Sequence, residues 1–287
     1  MTALGLSVCI SMAAAVSLGM TRFAYALLLP PMRDDLLWSY TLAGAMNTFN
    51  AVGYLVGALL TPMALRRLGA VRVLIWGALF ATLFMALTGF LIDTSALLLQ
   101  RFLAGVASAA VFVSGGLLAA RLGAQTPSQS GLLLGIYYGG TGWGIVLSAL
   151  MVPAALSWAQ AQGVNHPWSW AWWTLAGLCL MLTILLIVIR LPLNRWAPDA
   201  PPSTMASTKS QPTGQALRQW FFALLGYGCF GVGYIGYMTF VVALLREQGA
   251  TPTDITLFYG LLGIAVVVSS RVWAGLLNRY RGGQALS

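Results

Sequence analysis

The chain opens with a long apolar run that carries a single charge. Between Ala3 and Met32 only Arg22 is charged. About 20 apolar residues, at a rise of 1.5 Å each, cross a hydrocarbon core of about 30 Å, so this run is predicted to be a membrane-spanning helix. An arginine at such depth costs about 2.5–3.5 kcal/mol on insertion scales. Arg22 should therefore face a cavity or a partner. The alternative is that its side chain reaches the outer interface.

The composition of the whole chain also indicates a membrane protein. Of its 287 residues, 59% are hydrophobic and 7% are charged, whereas soluble domains contain about 25% charged residues. The net charge of +9 does not indicate a nucleic-acid partner, because the arginines lie singly between apolar runs. Cys9, Cys179 and Cys229 fall in apolar segments without metal-ligand spacing, so we expect no metal, cofactor or disulfide. The sequence predicts an all-α polytopic membrane protein surrounded by lipid.

Eight hydrophobic runs are long enough to span a membrane. They cover residues 4–29, 41–63, 71–92, 95–119, 131–156, 169–190, 218–244 and 254–277. Residues 191–217 contain five prolines among Ser, Thr and Gln, which predicts a flexible cytoplasmic linker. The predicted organisation is a six-helix bundle over residues 1–190, the linker over 191–217, and two helices of a second bundle over 218–287.

The cations are distributed unevenly between the gaps that separate the runs. Ten lie in or beside the gaps after the even-numbered runs, and only Arg33 and Arg246 lie in the others. The ten are Arg66, Arg67, Arg72, Arg121, Arg190, Arg195, Lys209, Arg218, Arg279 and Arg281. By the positive-inside rule, the even-numbered gaps and the N-terminus are cytoplasmic. Arg22, Arg101 and Arg271 are the cations within the runs.

Two further patterns concern helix packing and polarity. In the second run, Asn47, Asn50 and Tyr54 share one helical stripe, which fits interhelical hydrogen bonding and a wet cavity equally well. The fifth run has small residues at fourfold spacing, which lets helix backbones approach closely. These packing glycines are Gly131, Gly135, Gly139, Gly140 and Gly144.

The gap before the sixth run is rich in tryptophan. Its members are Trp158, Trp168, Trp170, Trp172 and Trp173, and we interpret them as an aromatic belt at the membrane interface. His166, the only histidine, is predicted to be an exposed loop residue and not a proton carrier.

Three local motifs resemble those of the major facilitator superfamily (MFS), whose members have six helices, a cytoplasmic linker and six further helices. Arg101, followed four residues later by Gly105, is similar to the helix 4 signature. The segment from Gly135 to Gly144 resembles the helix 5 glycine motif, with Gly140 at the usual proline position. Arg66-Arg67-Leu68-Gly69 resembles the loop motif G-x-x-x-D-R-x-G, but Pro62 and Arg66 replace its glycine and aspartate.

Two other stretches are similar to the YbfB/YjiJ-type branch of this superfamily: Arg22–Met32, and the segment from Arg271 to Gly283. A weak repeat at an offset of 212 places Arg279 on Arg67 and Asn278 on Arg66, as the parallel halves of the fold require. The resemblance implies gating loops at Arg66, Arg67 and Gly69 and at Asn278 and Arg279. It also implies an MFS fold with a complete first bundle and the first two helices of the second.

The function that the resemblance implies is secondary transport, not enzyme catalysis. A small solute would cross the bacterial inner membrane by alternating access, coupled to an ion or proton gradient, in a protein that is monomeric at full length. We expect the reading frame to continue beyond Ser287 with four more helices. The alternative is a transport-incompetent fragment or a membrane subunit that depends on a partner.

The predicted binding site combines the two arginines of the first bundle. No carboxylate inside the first six runs can neutralise Arg22 or Arg101, and guanidinium groups suit bidentate contacts to carboxylate or phosphate. The pair therefore favours an anionic or zwitterionic solute. Additional cavity-lining candidates are Tyr25, Asn47, Asn50, Tyr54 and Tyr234. The alternative is structural, with both arginines bonding backbone carbonyls at kinked helix ends. Arg271 is predicted to belong to an inner gate.

The topology can be tested with a reporter enzyme that is active only outside the cytoplasm. A fusion after residue 205 should be silent, because the linker is predicted to be cytoplasmic. A fusion after residue 162, in the gap between the fifth and sixth runs, serves as the positive control. Activity at residue 205 would contradict the scheme.

Overall fold

The computed structural model describes residues 2–198 and 214–279. Within these ranges eight helices are long and apolar enough to cross a membrane. The helices are α1 (Ala3–Asp35), α2 (Tyr40–Leu68), α3 (Ala70–Thr88), α4 (Thr94–Gln125), α5 (Ser130–Ala161), α6 (Pro167–Val188), the short α7 (Arg190–Trp196), α8 (Gly214–Glu247) and α9 (Pro252–Arg279). The candidate spans of the last two cover Leu224–Glu247 and Pro252–Val272. The predicted all-α polytopic class is confirmed.

Local capping chemistry sets several helix ends. Ser39 accepts a hydrogen bond from the amide of Leu42 at 3.2 Å and begins α2. Asp93 accepts a hydrogen bond from the amide of Ala96 at 2.8 Å and begins α4. Both are preferred N-cap residues because their side-chain oxygens pair otherwise unsatisfied amides. Gly69 joins α2 to α3 with a φ of 82°, a conformation that is strained for residues with a Cβ.

The first six spans pack through glycine faces. A Cβ on Gly53 of α2 would lie 2.0 Å from the carbonyl oxygen of Phe102 on α4. In the reverse direction, a Cβ on Gly105 would lie 2.1 Å from the carbonyl oxygen of Asn50. Helix α5 approaches α1 in the same way, at Gly140 and Gly144. Backbone-to-backbone contact of this kind lets helices associate where lipid supplies no hydrophobic drive.

The last two spans pack on the first six unevenly along their length. Helix α9 lies along α5, where a Cβ on Gly142 would be 2.3 Å from the carbonyl oxygen of Gly263. Helix α8 contacts α2 near its C-terminal end, where Tyr40 donates its hydroxyl to Glu247. The preceding half of α8 is open, with Tyr227 79% and Val232 77% exposed. The contact of α8 with the first six spans is therefore concentrated in its C-terminal half, whereas α9 packs along α5 from Gly263 to Ser270.

Polar atoms remain unpaired where the two parts meet. Asn47 donates its Nδ2 to Thr239 Oγ1 at 2.5 Å, but its buried Oδ1 has no partner among the described residues. The buried hydroxyl of Tyr259 on α9 likewise has no partner there. The contact thus joins polar groups without satisfying all of them.

The start of the predicted linker is ordered, so the flexible linker predicted over 191–217 is wrong for its first residues. Helix α7 occupies Arg190–Trp196, and Leu193 within it is fully buried against the cluster that includes Leu122 and Leu186. The leucine supplies an apolar anchor that the neighbouring prolines obscured in the sequence. Residues 199–213 of the predicted linker lie outside the described ranges.

Glycine packing gives a matched pair of substitutions with opposite expected signs. A Cβ at Gly140 would lie 1.9 Å from the carbonyl oxygen of Ser11, whereas a Cβ at Gly177 meets nothing within 4 Å. We expect Gly140→Ala to destabilise the protein by about 1–3 kcal/mol because the helices must separate. We expect Gly177→Ala to be neutral or stabilising by up to about 1 kcal/mol. Thermal unfolding midpoints in detergent measure both, and equal midpoints would contradict the close approach.

Candidate solute-binding site

The centre of α1 departs from α-helical geometry. Residues Ala15–Phe23 form a nine-residue π-helix between two α-helical halves, and Arg22 lies near its end. A π-helix bonds i→i+5, is rare, and occurs mostly as single turns, often at functional sites. Glycine packing brings α5 directly against this segment, because a Cβ on Gly19 would lie 2.5 Å from the Cα of Gly144. The π-helical segment is therefore a packed interior feature.

Arg22 has an incomplete environment. Its side chain is partly accessible, and its guanidinium lies within electrostatic range of the hydroxyls of Tyr54 on α2 and Tyr234 on α8. Across the described residues it makes no hydrogen bond and no ion pair. The described carboxylates are all near helix ends, at positions 34, 35, 93, 247 and 254. Nothing in the described part of the chain neutralises the Arg22 charge.

Arg101 has a different environment, although sequence analysis predicted the same role for both arginines. Its side chain is 2% exposed, and Nη1 donates to the carbonyl oxygen of Thr21 at 3.1 Å. Its guanidinium carbon lies 4.8 Å from the ring centroid of Tyr25 and 5.6 Å from that of Trp172. Cation–π contacts of this kind are stronger when desolvated. Its Nε and Nη2 have no partner among the described residues. Arg101 thus matches the structural alternative, a carbonyl bond at a helix irregularity.

The remaining predicted site residues divide into two groups. Tyr25, Asn47 and Asn50 are buried. Tyr25 donates its hydroxyl to the carbonyl of Ala43 at 2.7 Å, and Asn50 donates Nδ2 to the carbonyl of Arg101 at 3.0 Å. Tyr54 and Tyr234 are partly accessible. The accessible group is therefore Arg22 with these two tyrosines, which the structure brings together from three helices.

The two tyrosines belong to aromatic clusters on either side of Arg22. Tyr54 lies 6.5 Å from Phe112 on α4, ring centroid to ring centroid. Tyr234 meets Phe23 edge to face at 6.1 Å and stacks on Phe230 at 5.7 Å. Ring packing at these distances is within the favourable range for aromatic pairs. These contacts hold the tyrosines in place on both parts of the chain.

The predicted loop and packing residues lie away from this group. Arg66 and Arg67 are exposed at the end of α2, and Gly69 makes the turn described above. Asn278 and Arg279 are the last residues of α9, and their side chains lie outside the described set. Gly139 faces Ser270 of α9, Gly140 and Gly144 face α1, and Gly131 and Gly135 lie in the first turns of α5. Arg271 is exposed on α9.

Several important residues were missed or misinterpreted in the sequence. Trp168 and Trp172 are buried and do not form an interface belt, so that interpretation was wrong for both. Trp168 Nε1 and His166 Nδ1 each lie 2.5 Å from Asp35 Oδ2, which links the start of α6 to the end of α1. The contact from Arg101 to Thr21 was also unforeseen. Ser108 lies seven residues after Arg101 and therefore on the same helical face. This spacing could have indicated that both side chains contact the same neighbouring helix.

Comparison with known proteins agrees with the motif resemblance. The family described as "Uncharacterised MFS-type transporter YbfB" matches residues 14–287. Because the match covers nearly the whole chain, the chain belongs to this family of MFS-type transporters, and the predicted YbfB-type branch is confirmed. A comparison with curated proteins gave no match.

The anchoring role of Tyr25 can be measured directly. We expect Tyr25→Phe to lower the unfolding free energy by about 0.5–1.5 kcal/mol, because the Ala43 carbonyl loses its donor. Tyr138→Phe is the matched control, since that side chain is 46% exposed. Thermal unfolding in detergent measures both variants, and an equal effect of the two would contradict the anchoring role.

Proposed function

We propose that the protein is a secondary transporter that binds a small anionic or zwitterionic solute at Arg22. Transport would proceed by alternating access across the bacterial inner membrane, driven by an ion or proton gradient. Membership of the MFS-type family supports the transporter class. The eight candidate spans support a multi-pass location. The cation distribution in the sequence supports a cytoplasmic N-terminus.

The observation that carries the solute class is the unneutralised charge of Arg22. An arginine at the centre of a membrane costs about 2.5–3.5 kcal/mol on insertion scales unless a partner or water compensates it. No described residue supplies a counter-charge. An anionic group on the solute would supply it, and the guanidinium can donate two parallel hydrogen bonds to a carboxylate or phosphate.

The placement of Arg22 also fits binding between the two parts of the chain. Arg22 belongs to α1 and Tyr54 to α2, whereas Tyr234 belongs to α8. A solute that contacts all three groups interacts with both halves of the repeat. Sites in this fold lie near the bilayer midplane at the repeat interface. Such a solute has different contacts when the halves move, which is the requirement for coupling binding to a conformational change.

The test measures binding by purified protein in detergent. A panel of small carboxylates and phosphate monoesters is compared with their neutral amide or ester analogues by thermal shift. We expect at least one anion to stabilise the protein and its neutral analogue to have no effect. Arg22→Gln should abolish the shift. Arg22→Lys keeps the charge but loses the two-pronged geometry, so it should weaken binding about tenfold or more.

Arg72→Gln is the matched control, because Arg72 is an exposed arginine in the first turn of α3 and is not one of the candidate site residues. It should leave the anion-induced shift unchanged. Counterflow in proteoliposomes with the stabilising anion then tests transport itself. Anion binding that survives Arg22→Gln would overturn the proposed site, and binding without counterflow would overturn the transport function.

A further inference from the structure

Side chains of two other helices contact carbonyl groups of the π-helical segment Ala15–Phe23. Ser108 of α4 donates its hydroxyl to the carbonyl of Ser17. Arg101 of α4 donates Nη1 to the carbonyl of Thr21 at 3.1 Å. The hydroxyl of Ser148 on α5 donates to the Gly144 carbonyl of its own helix at 2.8 Å and lies 3.4 Å from the carbonyl of Gly19. The two donors of α4 thus meet Ser17 and Thr21, and Ser148 adds a weaker contact at Gly19.

Side chains within the segment strengthen the same attachment. Ser17 Oγ donates to the carbonyl of Ser108 at 2.8 Å, so the two serines exchange hydrogen bonds. Thr21 Oγ1 lies 3.2 Å from Ser108 Oγ and also donates to the carbonyl of Ser17. All three of these residues are at most 1% exposed. In a membrane interior, polar groups of the backbone need partners inside the protein, so donors at fixed positions favour one backbone register over others.

The π-helical segment changes which residues reach the accessible face of α1. Before it, Val8, Cys9 and Met12 are accessible at α-helical spacing. Within the segment, only Leu18 and Arg22 are partly accessible. Val16 and Phe23 continue the α-helical spacing from Met12, but both are buried. A change of one residue in register turns a helix by about 100°. The direction of Arg22 therefore depends on the π-helical bonding.

We propose that Arg101 and Ser108, with Ser148 in support, are positioning residues that hold the π-helical register and so direct Arg22 into the site. Arg101 acts from behind the segment and does not contact the solute. This inference rests on the proposed function for the role of Arg22, but the register itself is measurable without any solute. It also separates the two arginines, because only Arg22 is accessible to a ligand.

The experiment measures the reactivity of single cysteines with a small water-soluble methanethiosulfonate. The whole chain is used, with Cys9, Cys179 and Cys229 replaced by alanine, and no solute is added. Val16→Cys is buried in the π-helical register and becomes accessible only in the alternative α-helical register. Its labelling rate therefore reports the minor state. Leu175→Cys, at a fully buried position of α6 that does not change register with α1, reports general loosening.

We expect Ser108→Ala to raise the labelling rate at Val16→Cys by about threefold to fifteenfold, the range that corresponds to one interhelical hydrogen bond in a membrane. The rate at Leu175→Cys should not change. Arg101→Met should act in the same direction, and Arg101→Lys should restore part of the protection if its amine reaches Thr21. Ser114→Ala is the matched control, because Ser114 is a buried serine of α4 that bonds to the Ala110 carbonyl of its own helix.

Each outcome discriminates between the proposals. An unchanged rate at Val16→Cys in Ser108→Ala, or equal increases at Val16→Cys and Leu175→Cys, overturns the positioning role. Because Ser108→Ala removes one oxygen atom, it keeps the test decisive even if Arg101→Met does not fold. If the rates change as expected but no anion binds at Arg22, the positioning role stands and the proposed function fails. If anions bind but the rates do not change, the reverse holds.

Discussion

The need to compensate two positive charges inside a membrane dominates the interior of this protein. Arg101 is partly compensated within the protein, by the carbonyl of Thr21 and by the faces of two aromatic rings. Arg22 has no such partners among the described residues, where the hydroxyls of Tyr54 and Tyr234 lie within electrostatic range of its charge. The contrast is informative because both residues lie on helices of the same bundle. The buried Arg101 has a carbonyl partner and two ring faces, although its Nε and Nη2 have no partner among the described residues, and this environment indicates a structural role. The partly accessible Arg22 has no hydrogen bond among those residues, which leaves room for a ligand.

Close backbone approach makes this arrangement possible. Ser148 of α5 comes within 3.4 Å of the Gly19 carbonyl because α5 presents glycines to α1 at Gly140 and Gly144. A larger residue at either position would separate α5 from α1 and lengthen this contact. The glycine face and the π-helical register are therefore parts of one feature, in which small residues on one helix allow irregular bonding on its neighbour.

The class and the number of spans could be predicted from the sequence, because apolar length is a local signal. Small-residue spacing pointed to the close approach seen at Gly140 and Gly144. The MFS-type family was also predictable, from the order of its motifs. The different environments of Arg22 and Arg101 could not be predicted, since the accessibility of each side chain depends on which helices surround it. The π-helical segment was not predictable either, because its carbonyls bond to donors such as Ser108, which lies 91 positions after Ser17. Trp172 was misinterpreted for the same reason. An indole near a helix start is typical of the membrane interface, and its contact with the Arg101 guanidinium is visible only in the structure.

Asn47 Oδ1 and the Tyr259 hydroxyl have no partner among the described residues, and this opposes the contact between the two parts of the chain. Each buried polar atom without a partner costs about 1–3 kcal/mol relative to a hydrated one. Separation of the helices would admit water to both atoms and recover that cost, which partly offsets the loss of the Asn47–Thr239 hydrogen bond. The free-energy difference between the packed and the separated state of such an interface is small. Modest differences in ligand contact are then enough to shift the equilibrium between the two states.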